Sequence, residues 1–350
     1  MKKLLVIGII ILLVGMSVPS TGINVEKSTT VSFNGNTLYV GGSGPGNYTK
    51  IQDAIDNASD GDTVFVYDDS SPYFENLSIS HSITLMGEGQ SSTIISGFAY
   101  AAIRIYAPNV TIRDFTIENP GDLGILIRTS DVTITHAIFQ NIRNYGIEAH
   151  TRYGDHIIER LCIQNNTFYG PHNGFYGFEC NELIIANNTF SEAKIEFHHC
   201  FHASIFHNHF TSSWGFGYFE SLSGWNHIYK NEFRNCDCAI RLIHPGHDLV
   251  EMNNFVKNTR DVSFSRFFIA AFFFKLEALM DHDWMLWGNY SLFSPTVWRE
   301  NYWGRSLIHP KILFGSLLLF YIISYYFYPL PIGIPLIRFD RHPAIKPYDI

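Results

Sequence analysis

The chain has 350 residues, a formal net charge of −8 and a charged fraction of only 16 %. It offers no basic stripe to neutralise phosphates, which argues against nucleic acid as a partner and leaves uncharged sugars and neutral or cationic surfaces open. Five cysteines in so long a chain do not make a disulfide framework, and one elongated solenoid is expected rather than two globular domains.

The N-terminus reads Met1-Lys2-Lys3, then an apolar run from Leu4 to Met16, then small residues to Gly22. Two positive charges ahead of a short apolar run describe a secretory signal peptide over 1–22, and so a secreted or cell-surface protein. Tyr48 to Ala58 predicts a short amphipathic helix, with Ile51, Ala54, Ile55 and Ala58 on its apolar face and Thr49 and Gln52 spaced as a capping box. Asp60 to Val66 and Ile83 to Gly89 read as the first strands.

From there a phenylalanine returns at a near-fixed interval: Phe115, Phe139, Phe168, Phe190, Phe210, Phe233 and Phe255. Five positions before each stands a β-branched residue, from Val110 to Val250. Two positions before the last five stands an asparagine: Asn166, Asn188, Asn208, Asn231 and Asn253. A unit of this size cannot bury its apolar face alone, so copies must stack. The pattern predicts parallel strands coiled into about ten rungs, with Ile and Phe columns inside. One asparagine per turn would take the left-handed corner and bond to the next along the stack. Cys180 and Cys200 fall on adjacent rungs, as a disulfide or as two buried thiols.

These residues resemble the right-handed parallel β-helix repeat family, over roughly 38 to 303, and within it the pectin-lyase-like, NosD-type group. The resemblance implies an all-β, single-stranded right-handed parallel β-helix. It implies carbohydrate-binding or sugar-hydrolase modules, an N-terminal helix that plugs the open end, and an association with copper delivery. Asn301-Tyr302-Trp303-Gly304 resembles the closing motif of such proteins, and Phe267 to Trp287 reads as degenerate closing rungs.

Function is expected on outward residues of one face. With Ile147, Ile195, Phe219 and Ile240 inward, alternation places Glu148, His150, Tyr176, Glu196, His198, Tyr218, Glu220 and Arg241 on one outer sheet. Phe206, Tyr229 and Glu251 form a second outer column. Aromatic faces that stack on sugar rings, alternating with carboxylates that bind hydroxyls, suit a polysaccharide or cell-surface glycan. Glu196 and Glu220 would lie about 5 Å apart, and Glu148 and Glu196 about 10 Å, which brackets the glycosidase geometries. Binding without turnover is the expectation, with a polysaccharide lyase or glycoside hydrolase as the alternative. No catalytic residue of the family maps onto the chain.

The expected cofactor is none, with copper, zinc or calcium as candidate ions at His198, His199, His202, His207 and His209, beside Cys200. A rigid scaffold with neither sugar nor metal chemistry is a further reading. The tail over 304–350 is expected to be irregular and to cap the last rung. Its apolar segment 312–327 would just span a bilayer if helical, giving a candidate membrane association.

Overall fold

The computed structural model describes residues 35–119, 121–151, 156–170, 173–213, 215–243, 246–271, 296–304, 311–323, 326–340, 343–344 and 346–350. The expected leader and the aromatic stretch beyond 271 lie outside these residues.

Short strands coil into a parallel β-solenoid. Along one wall eleven strands stack in chain order, separated by ten turns of the coil. They run from Thr37–Val40 through Thr84–Gly87, Cys162–Gln164, Ile184–Ala186, Ser204–Phe206, His227–Tyr229 and Leu249–Glu251 to Val297–Arg299. A second sheet holds one strand per turn on the opposite wall. Among its members are Leu123–Ile127, Tyr145–Ala149, Asn173–Phe178, Lys194–His198, Tyr218–Ser221 and Cys238–Ile243. Each turn presents β-branched and aromatic residues at alternate positions, so one side faces the core of the coil and the other faces solvent.

Two columns fill the interior. Ile134, Ile163, Ile185, Ile205, Ile228 and Val250 are in register and fully buried. The phenylalanines stack face to face. Phe168 and Phe190 have centroids 4.8 Å apart with planes 2° off parallel. The stack runs from Phe139 to Phe255 and ends on Trp303 at 4.5 Å. The first copy of the sequence pattern is offset by two. Ile112 rather than Val110 pairs with Ile134, and Ile117 rather than Phe115 pairs with Phe139. Phe115 faces Ala137, whose small side chain leaves it room.

The asparagines form a continuous buried ladder, Asn166, Asn188, Asn208, Asn231, Asn253 and Asn301. Each donates its backbone N–H to the Oδ1 of the next at 2.9–3.0 Å. Each Nδ2 donates to the same oxygen at 3.0–3.1 Å and to a carbonyl of the strand behind, such as Ile185 O from Asn208 at 2.8 Å. The left-handed corner is not taken by these residues. It falls one position earlier, on Asn165, Asn187, His207, Lys230, Met252 and Glu300, with φ between 52° and 57°.

Ile51–Asp56 is a six-residue helix with Ile51, Ala54 and Ile55 buried. Its cap is long-range rather than the expected box. The Glu75 carboxylate, one turn on, accepts from the N–H groups of Ile51 at 2.8 Å and Gln52 at 3.0 Å. Cys180 and Cys200 are buried thiols.

Two stretches of the tail form strands. Lys311–Ile323 adds in parallel to Arg260–Ala271, and Tyr326–Asp340 then turns back antiparallel as the last strand of the second sheet. Residues 312–323 and 326–327 are therefore extended rather than helical, as their Ile, Phe and Tyr content favours. No helix among the described residues is long and apolar enough to cross a membrane. The last strand carries Pro329, Pro331 and Pro335.

Candidate functional site

The outer face of the second sheet carries Leu126, Glu148, Tyr176, Glu196, Phe219 and Arg241 in register from turn to turn. Two residues further along the strands come His150, Phe178, His198 and Ser221. Of the eight residues expected on this face, Glu148, His150, Tyr176, Glu196, His198 and Arg241 lie there.

Tyr218 and Glu220 do not. Both have 0 % exposure and point into the coil, with Phe219 outward between them. The frame is set by the ladder. Phe175, Ile195, Tyr218 and Ile240 each stand thirteen positions before an asparagine of the ladder and pair in one inward column. Polarity favours Phe219 inside, whereas the spacing selects Tyr218. The expected Glu196–Glu220 pair on the outer face is thus not formed.

At one end of the face Arg128, Tyr145, Glu148, His150, Thr151, Tyr176 and Phe178 line an open cleft of about 410 Å³. Glu148 is only 6 % exposed, and its Oε1 meets His150 Nε2 at 2.5 Å. Arg128 Nη1 lies 2.7 Å from His150 Nδ1 and donates to His150 O at 2.7 Å. Tyr145 and Tyr176 rings sit 5.1 Å apart, tilted by 48°. The aromatic row continues from Tyr176 to His198 at 5.6 Å and to Phe219 at 5.4 Å. Burial, reinforced by Tyr145, Glu196 and Glu148, pushes the Tyr176 hydroxyl up, so it remains a neutral donor and acceptor.

Glu196 accepts from Lys194 Nζ at 2.8 Å and pairs with His198 Nε2 at 2.9 Å. Burial pushes its carboxyl up, but the bonds from His198 and Lys194 outweigh burial and hold it below the ordinary carboxylate range. Phe216 receives Lys194 and Arg241 over its ring, at 6.0 and 5.5 Å. Arg128, Tyr145, Phe178, Lys194, Phe216 and Phe219 are the members of this face that sequence reasoning missed.

The second outer column forms on the first wall. Phe206 and Tyr229 stack at 4.9 Å, and Glu251 pairs with His227 at 2.9 Å and with Arg299.

The histidine run disperses. His198 belongs to Glu196, while His199 turns away against the Phe178 ring at 5.5 Å and burial depresses its pKa. His202 pairs with Asn181 Oδ1 at 2.9 Å and stacks on Trp225. His207 meets Phe206 edge-on, and His209 sits on the strand His209–Thr211. Crowded in sequence, these groups are divided by a corner of the coil. Among the described residues no three His, Cys, Asp or Glu side chains converge to hold a metal ion.

A family model described as "Periplasmic copper-binding protein (NosD)" matches residues 55–267, more than half of the chain. No curated protein sequence matches. Among solved structures, an alginate lyase from Paenibacillus sp. str. FPU-7 superimposes with a TM-score of 0.52 at 12 % identity, covering 66 % of this chain and 93 % of that one. A GH136 lacto-N-biosidase from Eubacterium ramulus gives a TM-score of 0.52 at 10 % identity, covering 67 % of this chain and 60 % of that one. At these identities the likeness is one of fold.

Proposed function

The chain belongs to the NosD family, and from that premise we propose that it is an extracytoplasmic solenoid that holds an extended carbohydrate chain on the outer face of its second sheet, without turning it over. The family's description as periplasmic supports the location. The observation that carries the reading is the cleft, where two tyrosines stand beside a carboxylate, an imidazole and a guanidinium in an otherwise weakly charged protein.

A sugar ring lying against Tyr145 and Tyr176 would bury its apolar C–H face on the aromatic rings. Its hydroxyls would exchange hydrogen bonds with Glu148, His150 and the Tyr176 hydroxyl. Regular spacing of about 4.8 Å per turn continues this edge through His198 and Phe219, so the face suits a chain rather than a single sugar.

Two features support binding without hydrolysis. Glu148 and Glu196 lie two turns apart on one row, a separation compatible with inverting chemistry, but that chemistry needs one of the two protonated. Glu196 is held as a carboxylate by His198 and Lys194, and Glu148 is engaged by His150. Copper, which the family description names, has no converging donor set among the described residues.

The test is a glycan-array screen of the full chain, with and without chelator, against Tyr145→Ala/Tyr176→Ala. Binding is expected to weaken about fivefold or more per ring removed and to be indifferent to chelator. Undiminished binding in the double variant, or none by the wild type, overturns the proposal. Binding abolished by chelator replaces it with a metal-dependent one.

A further inference from the structure

Charge is layered on the outer face of the second sheet. Arg104 is in register with Leu126, and the same row runs on through Glu148, Tyr176, Glu196 and Phe219 to Arg241. Arg128 and Lys194 stand on the flanking rows. Among the described residues these rows set four permanent cations against two carboxylates, Glu148 and Glu196. Both carboxylates are covered by their donors. The Glu148 side chain is 8 % exposed where its partner His150 is 27 % exposed. That of Glu196 is 17 % exposed, against 24 % for Lys194 and 27 % for His198. What this face offers outward is therefore N–H, from guanidinium, ammonium and imidazole groups, with the acidic oxygens beneath. The cations are also held in place. Arg128 Nη1 donates to His150 O at 2.7 Å. Lys194 and Arg241 both lie over the Phe216 ring, at 6.0 and 5.5 Å, so one aromatic side chain gathers two positive charges. Arg241 Nη1 donates to Ser263 Oγ at 3.2 Å, a bond that uses one of the five N–H groups of a guanidinium.

We infer that the chain held on this face is an anionic glycan, whose carboxylate or sulfate groups meet the outward layer of Arg104, Arg128, Lys194 and Arg241. The inference rests on the reading of this face as a glycan surface and names the class of glycan. Charged acceptor oxygens form stronger hydrogen bonds with guanidinium and ammonium donors than neutral hydroxyls do. A neutral sugar is served as well by a carboxylate as by a cation, and gains nothing from a face whose carboxylates are covered. The net charge of −8 points to uncharged or cationic partners for the chain as a whole, and this face reverses that sign locally. Cations lined along a shallow face concentrate an anionic ligand on it. Those already fixed by Phe216, Ser263 and His150 bind it with less ordering cost. Glu148 and Glu196 then serve as internal counter-charges that position His150, His198 and Lys194.

The full-length protein is to be titrated with uronate oligosaccharides and their carboxyl-reduced forms, and with sulfated oligosaccharides and their desulfated forms. Each pair shares a backbone and differs in charge. In at least one pair the acidic member is expected to bind about tenfold or more tightly at about 0.01 M salt, an advantage that shrinks toward about 1 M. The pair that shows it tells carboxylate from sulfate. Arg104→Gln/Arg241→Gln changes two outward positions and is expected to cut the advantage about fivefold, with the circular dichroism spectrum unchanged. Neutral members that bind as tightly as their acidic counterparts overturn the inference and leave the glycan reading standing. An acid preference that neither salt nor the double variant lowers does the same. No binding of any member defeats the glycan reading and this inference with it.

Discussion

Ile185 stands at 0 % exposure in the middle of its column, between Ile163 and Ile205. Ile185→Asp would bury a charge with no partner and is expected to leave the protein unfolded at room temperature, by circular dichroism. Phe210, sandwiched at 4.8 and 4.7 Å, should cost about 3–5 kcal/mol when cut to alanine, read as a lower urea midpoint. On the surface, Glu196 acts through charge. Its folded pKa lies below the ordinary carboxylate value of about 4.5, so its contribution is present above that value and disappears as pH falls through the folded one. The stability difference between wild type and Glu196→Gln should therefore shrink on acidification below about pH 4.5. A difference that is constant with pH would mean that the Lys194 and His198 bonds contribute nothing to folding.

The unit one level up is the turn, and its signature is the asparagine. Asn208 makes bonds to the turn behind and the turn ahead. Asn208→Ala leaves Ile185 O and Asn188 N buried without partners and is expected to cost about 3 kcal/mol, measured by urea denaturation. Asn208→Asp, which keeps the acceptor, should fall between the alanine variant and wild type. The Ile, Phe and Asn columns were legible in the sequence because each repeats an inward chemical requirement at the same place. Outward direction was harder to read. Tyr218 and Glu220 were misplaced because polarity was used where the thirteen-residue offset from Asn231 was the better guide. The apolar segment from Ile312 to Phe327 is ambiguous for another reason: a nearly continuous apolar run satisfies helical and extended patterns alike.

Across the whole molecule, each turn touches mainly its two neighbours, so stability is a sum of turn and interface terms along one axis. Hydrogen exchange should therefore be slowest for amides in the central turns, Ile163 to Phe233, and faster toward both ends. Uniform protection along the axis would contradict this. The same linear construction lets a shallow face run on without interruption, which is what an extended ligand requires. A parallel stack has a hazard too, since every terminal strand is a template on which another chain can add. At one end that strand is Tyr326–Asp340, and it reverses direction and carries Pro329, Pro331 and Pro335, three positions with no amide hydrogen to offer. The proline-bearing strand is built like a chain terminator for assembly: an edge with three missing amide hydrogens is a poor template for a further copy.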